Sequence, residues 1–173
     1  RDLRMSRGLG DVYKRQLIAF TDYGELRNGA IVNKNTLLKV KRTMLLPLHL
    51  KIFHNSIFVR RRVLSFGCPI CCPSVTFVKD NLPDQIFFPG FRSDEDWQAW
   101  ELLSRKRGAF VYCNRILMYH RIHDGSETSA ILGDSARGNE DFQMFCKFWP
   151  KPIARLLTRA YSSSEKSNEL ENK

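Results

Sequence analysis

No uninterrupted apolar run in these 173 residues approaches the roughly 18 to 20 that a membrane-spanning helix needs. The best stretch, residues 44–50, is short and holds Pro47 and His49, so this segment is not expected to span a bilayer. Acidic residues are in deficit, with 18 Asp and Glu against 28 Lys and Arg and a formal charge of +10. An anionic partner fits that balance, but the balance does not choose among nucleic acid, phosphate and a lipid surface. No secretory leader is recognisable, and the five cysteines are therefore expected as reduced thiols in a cytosolic setting. There is no internal repeat and no recognised nucleic-acid reader motif, and the aromatic residues fall at core periods rather than interleaving with the basic ones. What is present, 43% hydrophobic and 12% aromatic residues, suffices for a real core in one ordinary domain or a large piece of one. Disorder and coiled coil are excluded as descriptions of the whole.

Residues 1–16 show neither helical nor strand period, and residues 11–16 resemble the translation of a transposon-end adapter used in preparing sequencing libraries. They are expected to be a non-native or disordered leader. The leader holds five Lys/Arg and two Asp, so without it the charge falls to +7. On that reading the natural chain continues upstream of Leu17.

Residues 17–26 and 30–33 flank Arg27-Asn28-Gly29, and Asn-Gly between apolar stretches predicts a tight hairpin because both central residues must take positive φ. Residues 34–48 carry Leu37, Leu38, Lys41 and Leu45 near helical spacing, which predicts a basic amphipathic helix ended by Pro47. Apolar residues then lead into Arg60-Arg61-Arg62, a loop follows through Gly67, Pro69 and Pro73, and residues 74–79 are β-rich. Residues 81–91, with Pro83 and Pro89, are expected to be irregular.

Ser93-Asp94-Glu95-Asp96 opens the clearest helix, with Trp97, Trp100 and Leu103 on one face and Arg105-Lys106-Arg107-Gly108 at its end. Residues 109–113 and 116–123 alternate like a hairpin around Asn114-Arg115. Residues 134–149 place Phe142, Phe145, Phe148 and Trp149 on a helical stripe, residues 150–161 hold a short amphipathic helix, and residues 162–173 read as a disordered tail.

Three places could carry chemistry. Carboxylates in the first turn of the 93–96 helix are kept ionised by exposed N–H groups and the helix dipole, and an ionised Asp at a cleft edge can act as a general base. Capping alone accounts for the same residues. In Tyr119-His120-Arg121-Ile122-His123, a strand would send Tyr119, Arg121 and His123 to one face and His120, with Met118 and Ile122, to the other. Arg121 and His123 then form a small site for phosphate or metal-bound phosphate, while His120 reads as a core histidine. Cys68-Pro69-Ile70-Cys71-Cys72 invites zinc with His120 and His123, against the reading of buried reduced thiols. Arg60-Arg61-Arg62 and the basic helix suit a solvated face or acidic lipids as well as nucleic acid.

The Asn28-Gly29 hairpin, the basic helix ending at Pro47, Cys72-Pro73-Ser74-Val75-Thr76-Phe77, Asp94-Glu95-Asp96-Trp97 and His120-Arg121-Ile122-His123 with Gly125-Ser126 occur in an order that resembles the C-terminal part of a family-2 glycosyltransferase of the GT-A type. The resemblance covers roughly residues 17–149. It implies an α/β, Rossmann-like domain with a mixed sheet, lacking the N-terminal nucleotide-binding half and the Asp-x-Asp metal motif that would precede Leu17. It also implies a bacterial hexosyltransferase of cell-envelope polysaccharide biosynthesis, which moves a sugar from a nucleotide-sugar to a glycan or lipid-linked hydroxyl with inversion. Asp96 takes the role of base, Glu95 and Trp97 shape the acceptor side, and Cys72, Pro73 and Ser74 lie on the acceptor-side wall. Arg121 faces the donor diphosphate, and His123 helps hold a manganese or magnesium ion. The cytoplasm, with peripheral contact at the inner face of the plasma membrane, is the location implied, and nucleic acid is not a partner. The rival expectation from the residues alone is a small basic module, zinc-stabilised, that docks RNA or an acidic partner; a scaffold using the aromatic C-terminal helices is the third.

Overall fold

A computed structural model describes residues 15–122 and 135–170. The protein is mixed α/β, built on an open mixed sheet. Strand β1 (Gln16–Arg27) is central. On one side it pairs antiparallel with β2 (Ala30–Val32) at its C-terminal end and with β3 (Val75–Phe77) near its start; on the other it runs parallel to β4 (Ala109–Ile122) along nearly its whole length. A strand covered on both faces should read as near-continuous apolar sequence, and β1 is buried at Leu17, Ile18, Phe20 and Tyr23. The predicted turn is there: Asn28 at φ 48° and Gly29 at φ 81° connect β1 to β2 with Arg27 opposite Ala30.

The leader reading is corrected at its end. Gln16 opens β1 opposite Ala109, and the Arg15 carbonyl accepts the Ala109 N–H at 2.8 Å. Residues 1–14 lie outside the described residues.

Helix α1 (Thr36–Leu45) starts where the Asn35 side chain accepts the Leu38 N–H at 2.8 Å. Pro47 does not stop the chain outright but turns it into two 3-10 segments, Leu46–His49 and Lys51–Phe53. The arginine run, which shows no clear period, forms helix α2 (Ile57–Leu64), capped by Ser56. Helices α3 (Glu95–Ser104), α4 (Ser135–Cys146) and α5 (Lys151–Leu170) complete the fold. The core lies between the sheet and these helices around Ile18, Phe20, Leu48, Leu64, Trp97, Trp100, Phe110 and Phe145.

Two expectations fail for physical reasons. Residues 109–123 are not a hairpin: β4 passes straight through Asn114-Arg115, which bulge between the Thr21–Cys113 and Asp22–Ile116 pairs. Neither bulge residue takes the positive φ that a two-residue turn requires. The polar tail from residue 162 is helical as far as Leu170, because α5 is anchored upstream by Ala154, Leu157 and Tyr161 in the core. No helix among the described residues is long and apolar enough to cross a membrane.

Candidate functional site

Helix α3 leads directly into β4, so its C-terminus lies by the start of β4 and its N-terminus looks toward the carboxyl end of the parallel pair. That end of an open α/β sheet is where ligands bind. Asp94 is the N-cap by position, yet its side chain does not cap the helix. Glu140 of α4 does so from across the chain. Its carboxylate accepts from the Arg92, Ser93 and Asp94 N–H groups at 2.9, 2.8 and 3.2 Å and from Ser93 Oγ at 2.7 Å. Burial raises the Glu140 pKa, but these donors outweigh it and the net shift is downward.

Asp96 itself accepts an N–H of the helix's first turn. One oxygen accepts the Trp97 N–H at 2.6 Å, and the other faces the Cys68 thiol at 3.8 Å. The residue keeps some solvent contact while its carboxyl group is enclosed, and burial raises its pKa above the ordinary value despite the opposing pull of the Lys41 charge and of hydrogen bonds from Trp97, Cys68 and its own backbone N–H. Such a carboxylate is a better base than an exposed one.

Lys41, on α1, joins the two halves of the site. Its ammonium donates to the Tyr23 hydroxyl at 3.2 Å. Burial disfavours that charge, but the hydrogen bond to Tyr23 and the negative charge that Tyr23, Tyr161 and Cys68 take on once they ionise hold the proton on it, and its pKa rises. The same charge is felt by Asp96 on one side and by His120 on the other, where burial first and Lys41 second push the imidazole pKa down. Tyr23, Leu38 and Cys71 pack together with Met118, and the Tyr23 ring meets His120 edge-on at 6.4 Å. Lys41 stands at an apolar-stripe position of its helix; a lysine at such a position is the sequence signal that marks it.

Gly67 enters the Cys68–Cys72 loop at φ 140°, and a Cβ there would lie 2.7 Å from the Tyr161 ring. Burial pushes the Cys71 thiol up to about 12 and raises Cys68 and Cys72 as well. These are protonated, packed thiols. Asp96 and Glu95 both act on Cys72, which places the Cys72–Ser74 turn beside the acidic helix start. Ser74 folds its hydroxyl onto the Cys71 carbonyl at 2.8 Å, and Pro73 is exposed.

The structure thus brings Asp96, exposed Glu95, Cys72, Pro73 and Ser74 together. It corrects Trp97, which is wholly buried: its indole donates to the Leu64 carbonyl at 3.1 Å and its ring packs on Phe145. Trp97 holds the helix in place and cannot line an acceptor surface. Arg121 is exposed on the face of β4 opposite His120, as strand alternation predicts. His123 lies outside the described residues. Among the described residues no three His, Cys, Asp or Glu side chains are grouped to hold a metal, so these residues do not by themselves fit a divalent ion or a zinc centre. Asp22, adjacent in space, is bound to Arg42 at 2.7 Å on the wall of a cavity of about 230 Å³. A larger cavity of about 630 Å³ opens by Arg15, Asn55 and Gly108, at the amino ends of the parallel strands and away from Asp96.

Comparison with protein families, with curated proteins and with solved structures finds no match for this chain.

Proposed function

We propose that this chain is part of the catalytic domain of an inverting glycosyltransferase in which Asp96 is the general base. The observation that carries the reading is the enclosed Asp96 carboxylate at the carboxyl end of the sheet, coupled through Lys41 to the His120 region of β4. In the resemblance these two elements serve one reaction centre.

The acceptor hydroxyl gives its proton to Asp96 as its oxygen bonds to the anomeric carbon of a nucleotide-sugar. The bond from that carbon to the diphosphate breaks on the opposite face, and the electron pair leaves with the diphosphate. The resemblance assigns Arg121 to offset the charge that develops there. Glu95 and the Cys72–Ser74 turn flank the acceptor, a glycan or lipid-linked alcohol. A manganese or magnesium ion with His123 among its ligands belongs to the same proposal, as does a cytoplasmic or inner-membrane-face setting. The donor half is what the resemblance places upstream of Leu17.

The test is an assay of the chain restored through its upstream reading frame against a panel of nucleotide-sugars and envelope-glycan acceptors. Release of nucleoside diphosphate with an inverted anomeric linkage in the product is expected. A retained linkage contradicts single displacement. Stoichiometric zinc or salt-sensitive RNA binding, with no transfer from any donor, would replace the reading with the binding module.

A further inference from the structure

The charge of this protein is concentrated in one stretch. Between Leu26 and Lys79 there are ten Lys and Arg and no Asp or Glu, while the rest of the chain holds 18 of each sign. The stretch therefore carries the entire formal +10. Several of its cations are engaged: Arg27 with Glu25, Arg42 with Asp22, Arg61 with Glu101, and Arg60 buried against backbone carbonyls. Lys39, Lys51 and Arg62 are exposed and have no ion-pair partner among the described residues.

Lys51 and Arg62 stand by exposed apolar side chains, and Lys39 lies two helical turns before Leu46. The 3-10 segments and the start of α2 expose Leu46 at 56%, Leu50 at 56%, Ile52 at 77% and Phe58 at 72%. The backbone beneath them is fixed. Leu48 is fully buried, the His54 ring hydrogen-bonds the Leu48 carbonyl at 2.9 Å, and the His54 carbonyl accepts the Phe110 N–H at 3.0 Å. Lys51 sits between Leu50 and Ile52 in sequence, and the Arg62 guanidinium lies between the Trp149 ring at 4.9 Å and the Phe58 ring at 5.7 Å.

We propose that this face, formed by Leu46, Leu50, Ile52 and Phe58 with Lys39, Lys51 and Arg62, docks on the surface of an anionic lipid bilayer. A bilayer supplies both things the face lacks, negative charge at headgroup depth and an apolar medium just below it. A second copy of the chain fits poorly, because a two-fold contact would set these exposed cations against themselves. Nucleic acid would satisfy the cations and give Phe58 a base to stack on, but it offers nothing to Leu46, Leu50 and Ile52, which carry most of the exposed apolar surface. The inference rests on this surface and its charge, not on the transfer chemistry proposed above.

Co-sedimentation of the chain with vesicles of mixed phosphatidylglycerol and phosphatidylcholine, and with phosphatidylcholine alone, tests it. Binding to the anionic vesicles only is expected, and it weakens as salt rises from about 0.1 M to about 1 M, where the screening length falls from about 10 Å to about 3 Å. Leu50→Ser with Ile52→Ser should weaken binding roughly tenfold or more, and Lys39→Gln and Lys51→Gln about fivefold each. These side chains are exposed, so circular dichroism should show a native fold in every variant. Asp96→Asn should sediment like the unaltered chain, which separates this inference from the transfer reading. Equal binding to both vesicle types, no binding to either, or full binding by the folded Leu50→Ser/Ile52→Ser variant overturns the proposal. A dimer in solution that this variant abolishes also overturns it, by assigning the face to a second copy.

Discussion

Asp96 and Lys41 form an asymmetric couple in which burial raises the acid's pKa and the neighbouring ammonium restrains it. Removing the ammonium should release that restraint. In Lys41→Met the Asp96 carboxyl, followed by carbon-13 NMR, should titrate at a higher pH than in the unaltered chain, which itself should lie above the ordinary value of about 3.9. The acid limb of any transfer activity, which needs the ionised base, should move up in pH by the same amount. An unchanged or lower midpoint would remove Lys41 from the site. Glu140 gives a second prediction with its own sign. Its folded pKa is depressed by four donors, so its contribution to stability is present above the unfolded carboxylate pKa and is lost as pH falls through the folded one. Glu140→Gln should therefore cost about 1 kcal/mol at neutral pH, the scale of a lost cap, and flatten that acid dependence; urea melts at several pH values read both. Sequence placed the acidic helix start correctly but assigned the cap to Ser93 or Asp94. The true cap is 46 residues downstream of Asp94, and no local pattern records such a pairing.

At the scale of elements, the arginine run shows how identical neighbours acquire different roles. Arg60 is buried, donating to the Ser104 carbonyl at 2.9 Å and to the Lys106 and Gly108 carbonyls, with its guanidinium 4.9 Å from the Phe110 ring. Burial lowers its pKa to about 10. It closes the C-terminus of α3, where a cation meets the negative end of the helix dipole. Arg61 instead bridges to buried Glu101 at 2.7 Å, and Arg62 is exposed. Arg60→Met should leave several carbonyls without a donor and destabilise the fold by about 3 kcal/mol in urea unfolding, far more than Arg62→Met; equal effects would contradict the assignment. Period told the helical face of α3 and the hairpin at Asn28-Gly29, because each depends on neighbours in sequence. It failed for α2 and for the 109–122 segment because both are decided by distant partners. Arg60 reaches residues 44 to 48 positions away, and β4 is straight because β1 pairs with it in parallel across the bulge.

For the molecule as a whole, the sheet is asymmetric. β1 is flanked on both sides, whereas β4 has a strand neighbour on the β1 side only among the described residues. The mixed α/β architecture was legible in the order of turn, helix and strand signals, and the alternation of Tyr119, His120 and Arg121 on β4 matched its expected faces. The convergence of α1, the thiol loop and α3 on Lys41 was not legible, since three separate segments meet there and only the lysine in an apolar stripe hints at it. Charge is segregated too, with the acid-free stretch supplying both the lysine of the site and the exposed apolar face beside it.

The most direct measurement is turnover of Asp96→Asn in the chain restored through its upstream reading frame, with donor binding followed separately by calorimetry. The account predicts a loss of about 10²- to 10⁴-fold in transfer rate with donor affinity unchanged, because the amide keeps the side chain's shape and loses only the base. Transfer at an undiminished rate would contradict Asp96 as the base and with it the central reading of the site.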